Sequence, residues 1–433
     1  MQPALARVAD APPLRTSSVT RLRDRWGLAL STPSAQAVEA YERAVFSLLA
    51  HRADTLAQLD SALREDPQFA LPHLIRGFAL RLLARSDLLP VAQDALAQVD
   101  VSFLARGATL REALLADALR AWLERDVDGA IASLARACDA HPACLVSMKL
   151  HHALCFLHGK HQQMRRSLER CLLALSPEVP GYGYVLGCHA FALEETGAQR
   201  EALHHARAAI ELCPHDAWAY HALLHVLSTQ ARTREGLSFV RMRGQRFAGG
   251  NNFIAHIAWH HALFAVAEGE LDEALALYDG EISAPLGRDY RDLANCASLL
   301  YRLERVGVDV GARWQNLAEL AQQHNGDHLL AFADAHYLLA LLGAGRMDAA
   351  QEFAAGWRAT LPGRIDHDAL VGRQLGLPLS EGMLALFAGE HASALRKLWP
   401  LSARMLRLGG SHAQRELFEL MVAQAARASL ASG

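Results

Sequence analysis

Apolar residues recur along the chain with the spacing of amphipathic helices, and these helices come in pairs. Three consecutive segments show this most clearly: residues 182–216, 216–247 and 253–280. Each contains an apolar helix, a short turn and a second helix that opens near an alanine or a glycine, followed by a break. Runs that alternate apolar and polar residues, as strands do, are scarce. The pattern therefore predicts an all-α protein.

Small residues and prolines mark the same positions in successive segments. Gly197 and Gly269 stand where a first helix must turn, and Ala202 and Ala274 follow five residues later, where two helices cross closely. Pro214 opens the next unit, as proline does in the first turn of a helix. A helix–turn–helix unit of about 34 residues with this punctuation is typical of tetratricopeptide repeats.

Extending the template in both directions predicts ten helix pairs and a final helix. Each unit of such an array packs on its neighbours, so the core lengthens without thickening and 433 residues can form one domain. We expect residues 36–431 to form a superhelical array of antiparallel helix pairs, curled around a central groove or cavity, and residues 1–35 to be a partly irregular extension. The predicted pairs are 36–66, 69–104, 109–140, 143–175, 181–213, 216–247, 252–282, 288–324, 327–360 and 366–408, with the final helix at 412–431.

Several dispersed motifs occur in a characteristic order: LSTPSAQAVEAYERAV near the start, CPHDAWAYHALLHV and HIAWHHALFAVAEGELDEALALYD in the middle, and LGGSHAQRELF near the end. Together they resemble the tetratricopeptide repeat protein 38 family over nearly the whole chain. The resemblance implies an α-helical repeat fold and no settled activity. Function must therefore be argued from individual residues.

Composition narrows the classes of partner. Hydrophobic residues make up 52% of the chain, and the formal net charge is −3 with basic and acidic residues interspersed, so we expect no nucleic-acid partner. No apolar run reaches the roughly 18 residues of a membrane-spanning helix, so we expect no membrane partner. The seven cysteines are odd in number and form no C-x-x-C pair, which indicates reduced thiols in a cytoplasmic protein.

Histidines are the residues that could carry chemistry. In a tetratricopeptide unit the first helix lines the concave face, and two adjacent first helices read H-x-x-x-H: His221 with His225, and His256 with His260. Residues four apart share one helix face, with Cβ atoms about 5–6 Å apart. The four imidazoles could therefore meet a common metal ion, a phosphate or a substrate. A zinc ion would fit, although no cofactor is expected, because this chain lacks the built-in base of H-E-x-x-H.

Other candidate ligand-binding residues on first helices are His189, Asp334 and His336, and Glu194 with Glu195 could supply carboxylates. The alternative to a functional role is a histidine that is simply packed inside the protein or exposed on its surface. We expect it for His261, where the helix packs on its partner, and for the residues on outer helices or turns: His204, His205, His215, His324 and His367. The basic stretch 232–247 is interpreted as a solvated face of an outer helix.

Three functions remain open. The first is a binding protein that holds a peptide, a protein or a small polar ligand in a histidine-lined concave groove. The second is an enzyme that uses the same histidines in an enclosed groove, for acid–base or metal-assisted chemistry, with His225 and His260 as the catalytic candidates. The third is a structural adaptor that assembles other proteins on its outer helices.

Overall fold

A computed structural model describes residues 21–242, 244, 246–287 and 289–431. These residues form helices and connecting turns, and within them the β-structure is limited to two isolated bridges, Arg23 with Ala29 and Arg52 with Gly250. The all-α prediction is confirmed. Residues 21–34 contain a bridged turn and no helix, and the first twenty residues of the expected irregular extension lie outside the described part of the chain.

In the described part of the chain, nine regular helix pairs follow one another, and their bounds lie within a few residues of the predicted ones, except that the pair at 216–247 ends at Arg241 and the last α-helix of the pair at 252–282 ends at Leu277. A tenth, irregular group ends the array: α19 (His367–Val371), α20 (Leu377–Phe387) and α21 (His391–Leu398) precede a 3₁₀ segment (Trp399–Leu408) and the last helix, α22 (His412–Ala431). The regular pairs are α1 (Ala35–Leu49) with α2 (Thr55–Glu65), α3 (Ala70–Leu82) with α4 (Leu89–Arg106), α5 (Leu110–Leu123) with α6 (Val127–Ala140), α7 (Leu145–Leu157) with α8 (His161–Ala174), α9 (Tyr182–Glu195) with α10 (Gln199–Leu212), α11 (Ala217–Thr229) with α12 (Thr233–Arg241), α13 (Phe253–Glu268) with α14 (Leu271–Leu277), α15 (Tyr290–Arg305) with α16 (Arg313–Gln323), and α17 (Ala331–Gly343) with α18 (Met347–Ala359).

The turns inside the pairs have the conformations that their residues favour. Gly197 and Gly269 adopt φ angles of 87° and 81°, in the left-handed region that glycine enters at no steric cost. The side chain of Asp216 caps α11 by accepting a hydrogen bond from the backbone N–H of Trp218. These local signals fix where each helix ends and the next begins.

First and second helices differ sharply in burial. In α9, 12 of 14 residues are buried, and in α11, 11 of 13 are, whereas α10 buries 3 of 14. In an open superhelix the first helices would leave one face to solvent. Here α9 and α11 are enclosed on almost every side, so the concave interior along these helices is filled.

The helix α22 fills part of that interior. It contacts three first helices, α9, α15 and α17, and these helices come from different units of the array. The contacts are the hydrogen bond from Arg302 to the carbonyl of Ala413 (2.9 Å), the ion pair between Arg415 and Glu195 (3.1 Å), the hydrogen bond from Tyr301 to Gln424 (2.6 Å) and the packing of Phe418 against the His336 ring (centroids 5.6 Å apart). The expected central groove is therefore occupied, along these helices, by the chain itself.

Units far apart in the sequence also meet. The backbone N–H of Asn251 donates to the carbonyl of His51 (2.7 Å), and that of Ala53 donates to the carbonyl of Gly249 (3.1 Å). On the other side of the molecule, the backbone N–H of Ser86 donates to the Asp327 carboxylate (2.8 Å). The array thus curls back on itself, so packing is not restricted to adjacent units.

All seven cysteines are free thiols, and six of them are buried. None of the described helices combines the length and the apolar character needed to cross a membrane.

Close contact between adjacent units depends on Gly236 in α12. A Cβ atom there would lie 2.4 Å from the Phe264 ring of α13, whereas one at Gly280 would meet nothing within 4 Å. We therefore expect Gly236→Ala to lower the free energy of unfolding by about 1–3 kcal/mol through overpacking. Gly280→Ala is the matched control and should leave stability unchanged or raise it by up to about 1 kcal/mol. Urea unfolding of both variants tests this, and equal stability would contradict the packing described.

Candidate functional site

Four histidines converge between α11 and α13. The Nε2 atom of His221 lies 3.0 Å from Nε2 of His225 and 3.1 Å from Nε2 of His256. The ring centroid of His260 is 4.5 Å from that of His225. One nitrogen from each of the four rings lies within 4.8 Å of the other three. The helical spacing of four residues and the packing of two adjacent first helices together produce this cluster.

The cluster is inside the protein. His221, His225 and His260 are each about 1% exposed, and His256 is partly exposed. The sequence-based expectation placed these rings on an accessible groove; the structure encloses them because the neighbouring helices and α22 cover the first helices. A ligand in solution would not reach three of the four rings without opening the array.

Aromatic rings form the walls of the cluster. Phe191 stacks on His221 with centroids 5.4 Å apart, and Trp259 stacks on His256 at 5.1 Å. Trp218 and Phe253 each lie 5.1 Å from the His221 ring. Such walls exclude water and strengthen any electrostatic interaction at the imidazole nitrogens.

Burial keeps the four rings neutral. It lowers the pKa of His221 and of His260 well below the usual range, and the neighbouring imidazoles act in the same direction. Burial lowers the pKa of His256 to about 3, although the hydrogen bond to Asn295 opposes the change. The pKa of His225 is lowered by burial as well, against the opposing charges of Glu194 and Glu195. At neutral pH each ring can therefore present a nitrogen lone pair.

Groups around the cluster orient two of the rings. Nδ1 of His256 lies 2.8 Å from Oδ1 of Asn295 on α15 and donates to it, which leaves Nε2 of His256 without a proton. Nδ1 of His225 lies 3.7 Å from Oε2 of Glu194, which favours the same tautomer. Nδ1 of His221 and Nε2 of His260 are buried and have no hydrogen-bond partner.

Two buried carboxylates lie beside the cluster. Glu194 accepts a hydrogen bond from Thr229 (2.6 Å), and Glu195 accepts one from the backbone N–H of His412 (2.8 Å). Burial raises the pKa of Glu195, but His161, whose Nδ1 is 3.2 Å away, and Arg415 outweigh it and bring the pKa to about 2. Glu195 is thus ionised, and its charge holds the start of α22 against α9.

The other candidate ligand-binding residues from the sequence lie outside the cluster and contact other partners within the protein. His189 contacts His205 of α10 (Nδ1 to Nδ1, 3.2 Å), which was expected to be a packed or surface histidine. Asp334 pairs with His328 (3.0 Å) and His336 hydrogen-bonds the carbonyl of Phe332 (2.7 Å). His189, Asp334 and His336 therefore do not share a site with the four histidines. His261 contacts Glu273 of its partner helix (2.9 Å), in keeping with the structural role expected for it.

Sequence reasoning missed Asn295, which contacts His256 from the next helix pair, and Arg415, which contacts Glu195 beside the cluster. Asn295 is two helices further along the chain, and Arg415 comes from α22; only the motif LGGSHAQRELF pointed to that region, with no role attached. A second group, His158, His367 and Asp368, also brings donor atoms within 4.8 Å of one another. Arg81 lies 3.9 Å from Asp368, and its positive charge disfavours a cation there.

Comparisons with known proteins add little to this picture. No protein-family model matches the chain. A solved structure of the P58(IPK) TPR domain is 14% identical, covers 80% of this chain and 88% of its own, and has a TM-score of 0.23. The structure of Naa15/Naa10 bound to HypK-THB is 14% identical, covers 92% of this chain and 66% of its own, and has a TM-score of 0.26. Neither likeness bears on the site; the helix pairs themselves show an all-α helical-repeat array.

The ion pair between Arg415 and Glu195 should stabilise the docking of α22. We expect Arg415→Met to lower the free energy of unfolding by about 3–5 kcal/mol, because it leaves a buried carboxylate without its partner charge. The folded-state pKa of Glu195 is depressed, so its stabilising contribution is present above about pH 4.5 and is lost as the pH falls toward 2. The gap between wild type and variant should therefore narrow on acidification.

Urea unfolding between pH 3 and 7 measures this gap. Arg404→Met is the control, because Arg404 is exposed on the 3₁₀ segment before α22. Equal losses in the two variants, or a gap independent of pH, would contradict the assignment.

Proposed function

We propose that the protein binds one transition metal ion of the zinc class between α11 and α13, with His221, His225, His256 and His260 as ligands. The observation that carries the proposal is the convergence of four neutral imidazoles, three of them about 1% exposed, with one nitrogen from each ring within 4.8 Å of the others. Imidazole nitrogen is a preferred ligand of zinc and of several neighbouring metals.

The geometry fits a tetrahedral ion closely. Zinc–nitrogen bonds of about 2.0–2.1 Å place the four nitrogens roughly 3.3–3.4 Å apart. Two nitrogen pairs already lie 3.0 and 3.1 Å apart. The other nitrogen pairs of the set lie within 4.8 Å of one another, so these rings have to move closer to complete the coordination.

The surroundings also fit. Ligand histidines in metal sites usually donate their second N–H to a carboxylate or a carbonyl oxygen, and His256 does so to Asn295 while His225 faces Glu194. Glu195, ionised nearby, adds negative charge that would favour a cation. Oε2 of Glu194 is buried, has no hydrogen-bond partner and faces the cluster.

The alternative is a metal-free network of hydrogen-bonded histidines. Such a network leaves Nε2 of His260 buried without a partner, and an unpaired group of this kind costs about 1–3 kcal/mol. A shared metal ion would satisfy the converging nitrogens together. The cost of the unpaired nitrogen in the metal-free network therefore favours the metal site.

A four-histidine ion has no open coordination position, and closed sites of this kind are structural. We therefore propose that the ion ties α11 to α13 and contributes to the stability of the array. The enzyme alternative, with His225 or His260 as the catalytic group, gains support from the enclosed interior but needs a substrate to reach rings that are about 1% exposed.

The groove-binding and adaptor alternatives stay predictions. A peptide or small polar ligand in the concave groove would compete with α22 for the first helices, and the histidines are not exposed to it. A partner protein on the outer helices would leave the cluster without a role. Membership of the tetratricopeptide repeat protein 38 family rests on the order of the sequence motifs and is likewise part of the proposal.

The metal content of the purified protein tests the proposal. We expect about one zinc-class ion per chain by inductively coupled plasma mass spectrometry after expression in zinc-supplemented medium. X-ray absorption should show four nitrogen ligands at about 2.0–2.1 Å. His225→Gln and His260→Gln should lose the ion, whereas His204→Gln, on the exposed face of α10, should retain it. Less than a tenth of an equivalent in wild type, or equal content in all the variants, would overturn the proposal.

Asn295 orients a ligand without touching the ion. We expect Asn295→Ala to weaken zinc affinity by about 10–100-fold, because the His256 ring loses the acceptor that fixes its tautomer. Competition with a chromophoric chelator measures the affinity. Asn295→Asp keeps an acceptor at the same position and should retain most of it; an equal loss in both variants would speak against the orienting role.

A further inference from the structure

A second feature lies where the array closes on itself. A pocket of about 550 Å³ opens to solvent between the first helix pair and the segment that follows α12. It is lined by α1, the turn after it, the start of α9 and the segment 246–250. Backbone hydrogen bonds between residues 51–53 and 249–251 hold its two sides together.

The lining is strongly basic. Arg25, Arg43, Arg52 and Arg246 line the pocket together with His215, whereas the carboxylate among the lining residues is that of Asp54. Four guanidinium groups in one small volume repel each other, so such an arrangement raises the local affinity for an anion.

Two of the guanidinium groups are matched by acidic residues and two are not. Arg25 pairs with Glu42 (2.8 Å) and Arg52 with Asp54 (3.4 Å). Arg43 donates to the neutral amide of Gln58 (3.0 Å). Arg246 donates to the carbonyl oxygen of Pro214 (3.0 Å), and its buried Nε atom has no hydrogen-bond partner. Among the described residues, Arg43 and Arg246 thus have no carboxylate partner.

Aromatic rings form the apolar part of the same pocket. Phe46, Tyr184 and Phe247 line it, and each is partly exposed. The rings of Phe46 and Tyr184 lie 6.5 Å apart, and the guanidinium carbon of Arg25 lies 5.1 Å from the Phe46 ring centroid. The pocket therefore offers stacking surfaces next to unmatched positive charge.

We propose that this pocket binds a small aromatic organophosphate of the nucleoside-monophosphate class. Arg43 and Arg246 would bind the phosphate, since guanidinium groups match phosphate oxygens in charge and in geometry. The planar base would pack on Phe46, Tyr184 and Phe247. A volume of about 550 Å³ lies within the usual range for small-molecule sites.

The sequence analysis interpreted residues 232–247 as a solvated face of an outer helix. The proposed pocket instead gives Arg246 of this stretch a role in binding a ligand. Curling of the array carries Arg246 and Phe247 to the first helix pair, almost 200 residues away in sequence, where Arg25, Arg43, Arg52 and Phe46 line the same pocket. The pocket is separate from the four-histidine cluster, so its function does not depend on the metal.

Isothermal titration calorimetry with the full chain tests the proposal, using adenosine 5′-monophosphate, inorganic phosphate and adenosine as separate probes. We expect the monophosphate to bind in the micromolar range, to weaken as salt increases, and to bind at least about tenfold more tightly than either fragment. Arg43→Gln and Arg246→Gln should each weaken it by about tenfold or more. Phe46→Leu should weaken the monophosphate and leave phosphate binding unchanged.

Arg76→Gln is the control, because Arg76 pairs with Asp60 outside the pocket. Thermal unfolding checks that each variant folds, and Arg43→Lys, which keeps the charge, should bind with intermediate affinity. Absence of monophosphate binding up to millimolar concentration would overturn the proposal, as would equal binding by Arg43→Gln and Arg76→Gln. Inorganic phosphate bound as tightly as the monophosphate would overturn the assignment of the aromatic wall.

Discussion

Polar side chains on the first helices have to find partners inside the protein, and this requirement shapes the whole array. A buried donor, acceptor or charge that loses water without gaining a partner costs several kcal/mol, roughly as much as a core substitution. Because α9, α11, α15 and α17 are enclosed on almost every side, their histidines and carboxylates cannot turn to solvent. The four-histidine cluster and the pair of carboxylates beside it are consequences of that enclosure.

The curvature of the helical array brings parts of the chain that are distant in sequence into contact. Over six units the curvature of the array brings the first pair to the segment after α12, and at the end of the array it brings α22 onto the first helices. The ion pair of Arg415 with Glu195 joins α22 to α9, next to the cluster. The basic pocket lies at another place where the array meets itself, between the first pair and the segment after α12. The basic pocket, and the contact of α22 beside the histidine cluster, therefore depend on units that are distant in sequence.

The sequence predicts the features that depend on residues close together along the chain. Apolar spacing, the turn glycines and the prolines were enough to place nine regular pairs, and the two H-x-x-x-H motifs on adjacent first helices were enough to expect His221, His225, His256 and His260 to converge. It did not predict their burial, because that depends on α22, whose position no local pattern encodes. Asn295, Arg415 and Arg246 were missed for the same reason: each acts across units, and small rotations per unit cannot be summed from the sequence.

Anomalous diffraction from a crystal of the full chain, recorded on both sides of the zinc absorption edge, tests the central claim most directly. The account predicts one strong anomalous peak about 2 Å from a nitrogen of each of the four rings, with the His256 ring still bonded to Asn295. A map without a peak among these rings, from protein prepared with zinc, would contradict it and would leave the cluster as a hydrogen-bonded network.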